Sequence, residues 1–373
     1  MKIRGIVVKK KEIGHLLVIR LSAMGDVAMA VPVIAALRNA YPEMKISVLT
    51  RRGFHAFFRD VPGIDFVDFD PTGRHKGFGG LVRLAGELRA RGIDAVADLH
   101  DVLRTKVLRM LLLPCGVHFS VIDKGRAEKK EITRRTDKKL VQLPAMTERY
   151  RQTFESLGLH FELPAKALRK EFPVPETISK AAGEKNGVWV GIAPFAKHKG
   201  KIYPIPQTDE LIGILASRYE RVFVFGGGDY EKSFAEGMER LHDRVVSAIG
   251  KMSMSEEMDL MSNLDVMVSM DSATMHISSL LGVPVVSVWG ATHPYAGFYG
   301  YGQDPANAVQ SDMACRPCSV FGDKPCIFGD YRCMLAIKPQ DVADRVADRV
   351  AAVVAGGNDI EKNNRCERKG KSS

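Results

Sequence analysis

Short apolar runs alternate with amphipathic stretches along most of this chain, and that alternation limits the folds open to it. The runs at 15–20, 45–50 and 94–98 are typical of buried strands, whereas 27–40 and 78–91 have the apolar spacing of helices. Strands joined by helices lie parallel in one sheet, because the helix returns the chain to the end where the previous strand began. The sequence therefore predicts an α/β fold built on parallel sheets.

The alternation restarts after residue 176, which predicts a second domain of the same class. Strands are expected at 188–193, 221–225, 245–249, 265–269 and 283–289, and helices near 206–218, 229–241, 255–263, 273–282 and 339–355. Pro173 and Pro175 lie in the segment 171–176 between the halves, and such a segment is typical of a linker. We therefore predict a first domain over 1–175, a second over 177–356 and a disordered polar tail over 357–373.

The charge balance narrows the classes of partner. There are 54 Lys and Arg residues against 44 Asp and Glu, a net charge of +10, which favours an anionic partner or serves solubility alone. The longest apolar stretch, 277–291, is shorter than the ~20 residues of a membrane span, and 1–14 lacks the apolar core of a signal peptide. These features predict a cytoplasmic protein. The strongly basic segment 124–139 is expected to be a loop.

The first candidate site is the segment R-L-S-A-M-G-D at 20–26, directly after the first predicted strand. A dinucleotide fingerprint needs three glycines and only Gly25 is present, which argues against a nicotinamide-dependent dehydrogenase. Asp26 is either the N-cap of the following helix or a general base that takes a proton from an attacking hydroxyl.

Further candidates follow predicted strands of the second half. Lys197, Lys199 and Lys201 lie in one loop, which either neutralises a diphosphate or is a solvated basic loop. The glycine run 226–228 precedes Asp229, which either meets ribose hydroxyls or belongs to a plain turn.

The segment S-M-D-S-A-T-M-H at 269–276 combines small hydroxyl residues with a predicted helix start. Free N–H groups and the helix dipole favour an anion at such a position. His276 lies one turn beyond Asp271, and we expect it either to pack in the core or to face the same ligand as Asp271.

Four of the six cysteines lie close together in the sequence: Cys315, Cys318, Cys326 and Cys333. The first two have the spacing C-x2-C, and the other two follow at wider intervals. This group is either a structural zinc site or a set of unligated thiols. A zinc-containing nucleic-acid-binding protein is therefore an alternative. Nucleic acid is not an expected partner, because the basic residues are not interleaved with aromatic ones.

Taken together, these motifs resemble glycosyltransferase family 9, the ADP-heptose:lipopolysaccharide heptosyltransferases. The resemblance is carried by R-L-S-A-M-G-D at 20–26, K-x-Y-P at 201–204, the glycine run with Asp229, D-S-A-T-M-H at 271–276 and G-A-T-H-P at 290–294. It implies a GT-B architecture, with two Rossmann-like lobes whose parallel sheets face a central cleft. The N-terminal lobe, 1–175, would bind the acceptor, and the C-terminal lobe, 177–356, would bind the nucleotide sugar. It also implies an inverting transfer without a catalytic cofactor or metal, with a nucleotide sugar as donor and a lipopolysaccharide precursor as acceptor. A GT-B enzyme that uses another nucleotide sugar remains an alternative, since Ala273 and Tyr203 stand where Gly and Trp are common in the family.

The resemblance also implies roles for individual residues. Asp26 would be the catalytic base and Lys201 would stabilise the leaving diphosphate. Asp229 would meet the ribose, Asp271 would meet sugar hydroxyls, and the donor side would be completed by Lys197, Ser272, Ala273, Thr274, Met275 and His276. The acceptor side would include Ser22, Met24 and Gly25. Because the acceptor is a glycolipid, peripheral contact with the anionic inner membrane through 124–139 is expected.

Overall fold

The computed structural model describes the backbone of residues 13–370 and the side chains of residues 13–355. The chain forms two compact units that are not consecutive stretches of sequence. Unit 1 consists of the described residues up to Ala23, with Val33–Asp123 and Arg149–Leu163. Unit 2 consists of Met24–Pro32, Lys124–Glu148 and the described residues from Pro164 onward.

The sheet of unit 1 is parallel throughout, with the strand order β3-β2-β1-β4-β5. Its strands are β1 (His15–Ile19), β2 (Lys45–Thr50), β3 (Ile64–Asp68), β4 (Ala95–Asp98) and β5 (His118–Val121). Leu17 and Ile19 of β1 pack with side chains of the neighbouring strands and helices in one apolar core. The α-helices of the first half of the chain are α1 (Met24–Ala40), α2 (Gly77–Ala90), α3 (Leu103–Leu112), α4 (Arg126–Ile132), α5 (Met146–Glu155) and α6 (Glu176–Ala182).

The sheet of unit 2 is also parallel, with the order β11-β10-β9-β6-β7-β8. Its strands are β6 (Trp189–Ala193), β7 (Arg221–Val224), β8 (Val245–Ser247), β9 (Val266–Met270), β10 (Val285–Trp289) and β11 (Ala308–Gln310). The later helices are α7 (Ile205–Arg218), α8 (Asp229–Leu241), α9 (Met254–Ser262), α10 (Ala273–Leu280), α11 (Arg332–Leu335) and α12 (Pro339–Gly370). These elements enclose a core of buried aliphatic side chains.

The strand order of this second sheet creates a topological switch point between β6 and β9. From β6 the chain builds the sheet outward through β7 and β8, and it then crosses to the opposite side of β6 to add β9, β10 and β11. The loops that leave β6 and β9 therefore diverge to opposite sides. In open α/β sheets, ligands bind in the crevice that this divergence leaves at the carboxyl ends of the strands.

Two predictions about irregular segments differ from the structure. The segment 124–139, expected to be a loop, contains α4, and within it Lys129 is buried beside Met146 and over the Phe298 ring. Long lysine stems pack readily on apolar surface, so a basic sequence does not by itself indicate a solvated loop. The backbone of 357–370, predicted to be a disordered tail, continues α12, and 371–373 lie outside the described residues.

None of the helices in the described part of the chain is both long and apolar enough to cross a membrane.

Candidate functional site

An ion pair joins the two loops that diverge at the switch point of unit 2. Lys201 follows β6 at the end of a short 3-10 helix, Lys199–Lys201, and Asp271 follows β9 directly. The Lys201 Nζ atom lies 2.9 Å from Asp271 Oδ2, and the two side chains are only 15% and 6% exposed. The structure therefore places a largely desolvated lysine where open α/β sheets hold their ligands.

The backbone around Lys201 is fixed by packing on the turn after β10. The Gly200 carbonyl accepts a hydrogen bond from the Ala291 N–H at 2.9 Å. A Cβ atom at Gly200 would lie 2.8 Å from Ala291 Cβ, so only glycine allows this approach. Further along, the buried Tyr203 hydroxyl donates to the Ile337 carbonyl at 2.8 Å. These contacts restrict where the Lys201 amine can lie.

The first turn of α10 begins immediately after Asp271. Ser272 precedes the helix in an extended conformation, and its hydroxyl lies 3.2 Å from that of Ser269. Within the described part of the chain, the Ser272 side chain makes no capping hydrogen bond to the helix. The backbone N–H groups at the start of α10, a stretch that includes Ala273, Thr274 and Met275, are thus available to an anionic ligand.

His276 is buried in α10 beside these charges. Burial lowers the pKa of His276 to about 4, although the carboxylates of Asp271 and Asp26 oppose that shift and the Lys201 ammonium adds to it. The imidazole is therefore neutral near pH 7. Its Nδ1 atom is buried without a hydrogen-bond partner among the described residues. A buried polar atom of this kind is usually satisfied by a ligand or by water.

The start of α1 packs on the start of α10 within unit 2. A Cβ atom at Gly25 would lie 2.8 Å from His276 Cδ2 and 3.2 Å from Ala273 Cα. Asp26 is the third residue of α1 rather than its N-cap, and it is close enough to His276 to raise the pKa of that imidazole. Met24 begins the same helix and is half-buried. Ser22 belongs to unit 1, where it is also half-buried.

The remaining predicted donor residues, Lys197 and Asp229, are exposed. Lys197 is exposed between β6 and Lys201. Asp229 is the exposed first residue of α8, directly after Gly228, whose φ is +103°. Glu231 folds back over the glycine run, and its Oε2 atom accepts from the Gly227 N–H at 2.6 Å. Glu231 therefore supports the turn, and Asp229 remains open to a ligand.

Arg316 is a buried residue whose role the sequence did not predict. Its guanidinium donates to the carbonyls of Trp289, Gly290 and Thr292, which fixes the turn after β10. Ala291 in that turn donates its N–H to the Gly200 carbonyl and so fixes the backbone next to Lys201. The only sequence signal for Arg316 is its position between the two cysteines of C-R-P-C.

The prediction of structural zinc is not supported. Among the described residues, no group of three or more His, Cys, Asp or Glu side chains is arranged to hold a metal ion. The four thiols are free, and the Cys318 thiol donates to the Cys315 carbonyl at 3.4 Å. Burial raises the pKa of Cys333 to about 11, so this thiol stays protonated near pH 7. Cys326 is half-buried.

Comparison with known proteins identifies the family. A family model described as glycosyltransferase family 9 (heptosyltransferase) matches residues 81–329, well over half of the chain. The chain belongs to glycosyltransferase family 9. Lipooligosaccharide heptosyltransferase 2 of Campylobacter jejuni is 20% identical over 328 residues, which cover 87% of this chain and 95% of that protein.

Solved structures agree with the fold of this family 9 member. The family 9 glycosyltransferase of Veillonella parvula has a TM-score of 0.72 at 19% identity, covering 91% of this chain and 98% of that one. The ADP-heptose lipopolysaccharide heptosyltransferase II of E. coli has a TM-score of 0.64 at 17% identity, covering 91% and 99%. The predicted GT-B class, with two Rossmann-like parallel sheets, is thereby confirmed.

Proposed function

We propose that this family 9 glycosyltransferase transfers a heptose from a nucleoside diphosphate donor, ADP-heptose, to a lipopolysaccharide precursor. The observation that carries the proposal is the Lys201–Asp271 pair at the switch point, beside the open start of α10. A lysine, free N–H groups and a neutral histidine together suit a diphosphate. The E. coli neighbour named for ADP-heptose supports this choice of donor.

In the proposed reaction, the Asp26 carboxylate removes the proton of the acceptor hydroxyl. The hydroxyl oxygen then forms a bond to the anomeric carbon, while the bond from that carbon to the diphosphate oxygen breaks. Attack on the face opposite the leaving group inverts the anomeric centre. The negative charge that develops on the diphosphate is stabilised by Lys201 and by the N–H groups of α10, and no metal takes part in the step.

Other residues would hold the donor for this step. Asp229 would accept hydrogen bonds from the ribose, and Asp271 would meet sugar hydroxyls while holding Lys201. Ser272, Ala273, Thr274 and Met275 would offer backbone N–H groups. His276 Nδ1, unpartnered within the described chain, would meet the ligand, and Lys197 would add charge at the edge of the site. On the acceptor side, the close approach of Gly25 to α10 would bring Asp26 and Met24 beside the donor, with Ser22 preceding them.

Asp26→Asn tests the assignment of the base. We expect transfer from ADP-heptose to fall by at least about a hundredfold, because an amide does not accept the proton at neutral pH. The affinity for ADP should stay within about twofold, since Asp26 is assigned to the acceptor hydroxyl and not to the diphosphate. Isothermal titration with ADP and a transfer assay separate the two effects. Full transfer activity in the variant would refute the role of Asp26, and failure of the native protein to bind ADP would refute the donor.

Because the acceptor is a glycolipid, we propose that the enzyme works in the cytoplasm, in peripheral contact with the inner membrane through the basic segment 124–139. Arg126, Lys130 and Lys139 are exposed there, and each cation near an anionic surface contributes up to ~1 kcal/mol. Replacing these three residues by glutamine should weaken binding to vesicles that contain anionic lipid. Unchanged vesicle binding would remove this role.

A further inference from the structure

Unit 2 contains a basic cavity outside the donor site. It has a volume of about 370 Å³ and lies between the stretch that follows α4 and the cysteine-containing loop over 314–327. Arg134, Arg135 and Lys324 line it, together with the thiol-bearing residues Cys315 and Cys318. None of these cations belongs to the donor machinery described above.

The charge of this cavity is not balanced locally. Among the described residues that line it, none carries a carboxylate. Arg134 pairs with Glu131 at 3.0 Å, but neither Arg135 nor Lys324 forms an ion pair within the described part of the chain. Unpaired cations around one concave surface create a positive potential that attracts anions.

A further cation lies behind the cavity wall. The Lys138 Nζ atom donates to the carbonyls of Ala314, Cys315 and Pro317 at 3.2, 2.8 and 3.2 Å. These three acceptors are neutral, so the lysine fixes the loop without cancelling its own charge. The loop is therefore held in shape, and the positive field at the cavity is reinforced.

The rest of the lining suits a small ring that carries the anion. Ala314, Pro317, Pro325 and Ile327 provide apolar surface between the cations. Two guanidinium groups match the oxygens of a phosphate better than a single ammonium does, because each fork donates two parallel hydrogen bonds. The cavity is large enough for a phosphate together with part of the sugar that bears it.

The same loop also contacts the donor site. Gly322 has a φ of +74°, and a Cβ atom there would lie 2.8 Å from Lys201 Cγ. One segment of chain thus touches Lys201 and also forms a wall of the basic cavity. A ligand in the cavity is held by the same loop that positions the donor lysine.

From these observations we propose that the cavity is a binding site for a phosphate monoester on a sugar. The inference rests on the proposed function in one respect, namely that this sugar phosphate belongs to the acceptor. Arg134, Arg135 and Lys324 bind the phosphate, and the apolar wall contacts the ring. The cavity thereby favours acceptors that carry a phosphate, whereas the glycosyl transfer itself takes place at the donor site.

The test uses the full chain and the double variant Arg135→Gln/Lys324→Gln. The matched control is Lys166→Gln/Lys338→Gln, which removes two exposed cations that make no ion pair within the described residues and lie outside the cavity. Inorganic phosphate and glucosamine 1-phosphate are titrated with and without saturating ADP, so that binding at the donor site is blocked in one arm. We expect the cavity variant to bind glucosamine 1-phosphate about tenfold more weakly or worse, and the control to match the native protein.

A second arm identifies the source of the phosphate. Transfer is measured with a phosphorylated acceptor and with the same acceptor after phosphatase treatment. The cavity variant should raise KM for the phosphorylated acceptor by about tenfold or more, with kcat and the KM of the dephosphorylated acceptor unchanged.

The possible outcomes separate the two proposals. If ADP-saturated native protein binds neither phosphate probe, or if both double variants bind equally weakly, the cavity is not a phosphate site. If the cavity variant loses phosphate binding but keeps its KM for the phosphorylated acceptor, the ligand is free phosphate and the acceptor assignment is wrong. Failure to bind ADP would overturn the proposed function, while the titrations without ADP would still decide the cavity.

Discussion

The Lys201 amine and the Asp271 carboxylate, which follow different strands, lie 2.9 Å apart at the switch point of the second sheet. Each is largely removed from water, so each depends on the other for charge balance. An incoming diphosphate would share the amine with Asp271. In the proposed reaction, the pair would hold the lysine in place before the donor binds, at the position where negative charge develops on the diphosphate.

Lys201→Met should lower transfer by at least about a hundredfold and destabilise the fold by about 1–3 kcal/mol, because Asp271 is left buried without its cation. Lys201→Met/Asp271→Asn should recover most of that stability and none of the activity. Urea unfolding and a transfer assay on both variants make the comparison. Equal stability of the single variant and the native protein would show that the pair is not desolvated.

Gly25→Ala should impair the site, because its Cβ would lie 2.8 Å from His276 Cδ2 and 3.2 Å from Ala273 Cα. We expect a loss of about 1–3 kcal/mol in stability and a marked loss of transfer. The control is Gly53→Ala, where no atom lies within 4 Å of the added carbon. If the two variants behave alike, the packing of α1 on α10 does not constrain residue 25.

Gly322→Ala should weaken ADP binding by displacing the Lys201 side chain. Gly329→Ala is its matched control, since φ is +74° at Gly322 and +78° at Gly329 but no atom lies within 4 Å of a Cβ at Gly329. Both variants should lose about 1 kcal/mol of stability from backbone strain. Only Gly322→Ala should show a higher Kd for ADP in isothermal titration. An equal effect on Kd in both variants would mean that strain alone is responsible.

Stability should fall as the pH drops from about 6.5 towards 4. Burial lowers the pKa of His293 to about 4, with the neighbouring Arg316 and Lys138 adding to the shift, and the pKa of His276 is lowered to about 4 as well. In this window the unfolded chain binds protons that the folded chain does not, so stability rises with pH and is lost on acidification. We expect each histidine to account for about 1–3 kcal/mol.

His293→Gln tests this pH dependence. Its free energy of unfolding, measured in urea at pH 7.5 and pH 5, should change less between the two pH values than that of the native protein. His118→Gln, a substitution at an exposed position on β5, is the control. Its free energy of unfolding should change between the two pH values as much as that of the native protein. If the free energy of unfolding of His293→Gln changes with pH as much as that of the native protein, His293 does not contribute to the pH dependence of stability.

The apolar runs predicted the central strands well because buried parallel strands are apolar on both faces. β1, β2 and β6 lie within about one residue of their predicted bounds. Two edge strands, β5 and β11, were not predicted. β5 reads H-F-S-V and β11 reads A-V-Q, and such short half-exposed segments have no distinct apolar run.

The sequence predicted which loops form the candidate site, but it did not predict the contacts between their side chains. A parallel sheet brings the loops after its strands to one edge, so Lys201, Asp271 and His276 could be expected near each other. That Lys201 pairs with Asp271 could not be read from spacing, since the pair depends on a strand order that places β6 beside β9. Arg316 was missed because its role depends on carbonyls that the fold, and not the local sequence, brings around it.

The division of the chain between the two units has a consequence for its synthesis on the ribosome. Every segment of unit 1 has been translated once residue 163 is added, whereas Met24–Pro32 and Lys124–Glu148 belong to a unit whose sheet is still to be made. Leu143 and Met146, for example, donate to the carbonyls of Tyr295 and Gly297. These early segments must wait for partners about 150 residues downstream. The second unit therefore completes its fold only after its own strands have been translated, and a fragment that starts at residue 164 lacks two of its parts.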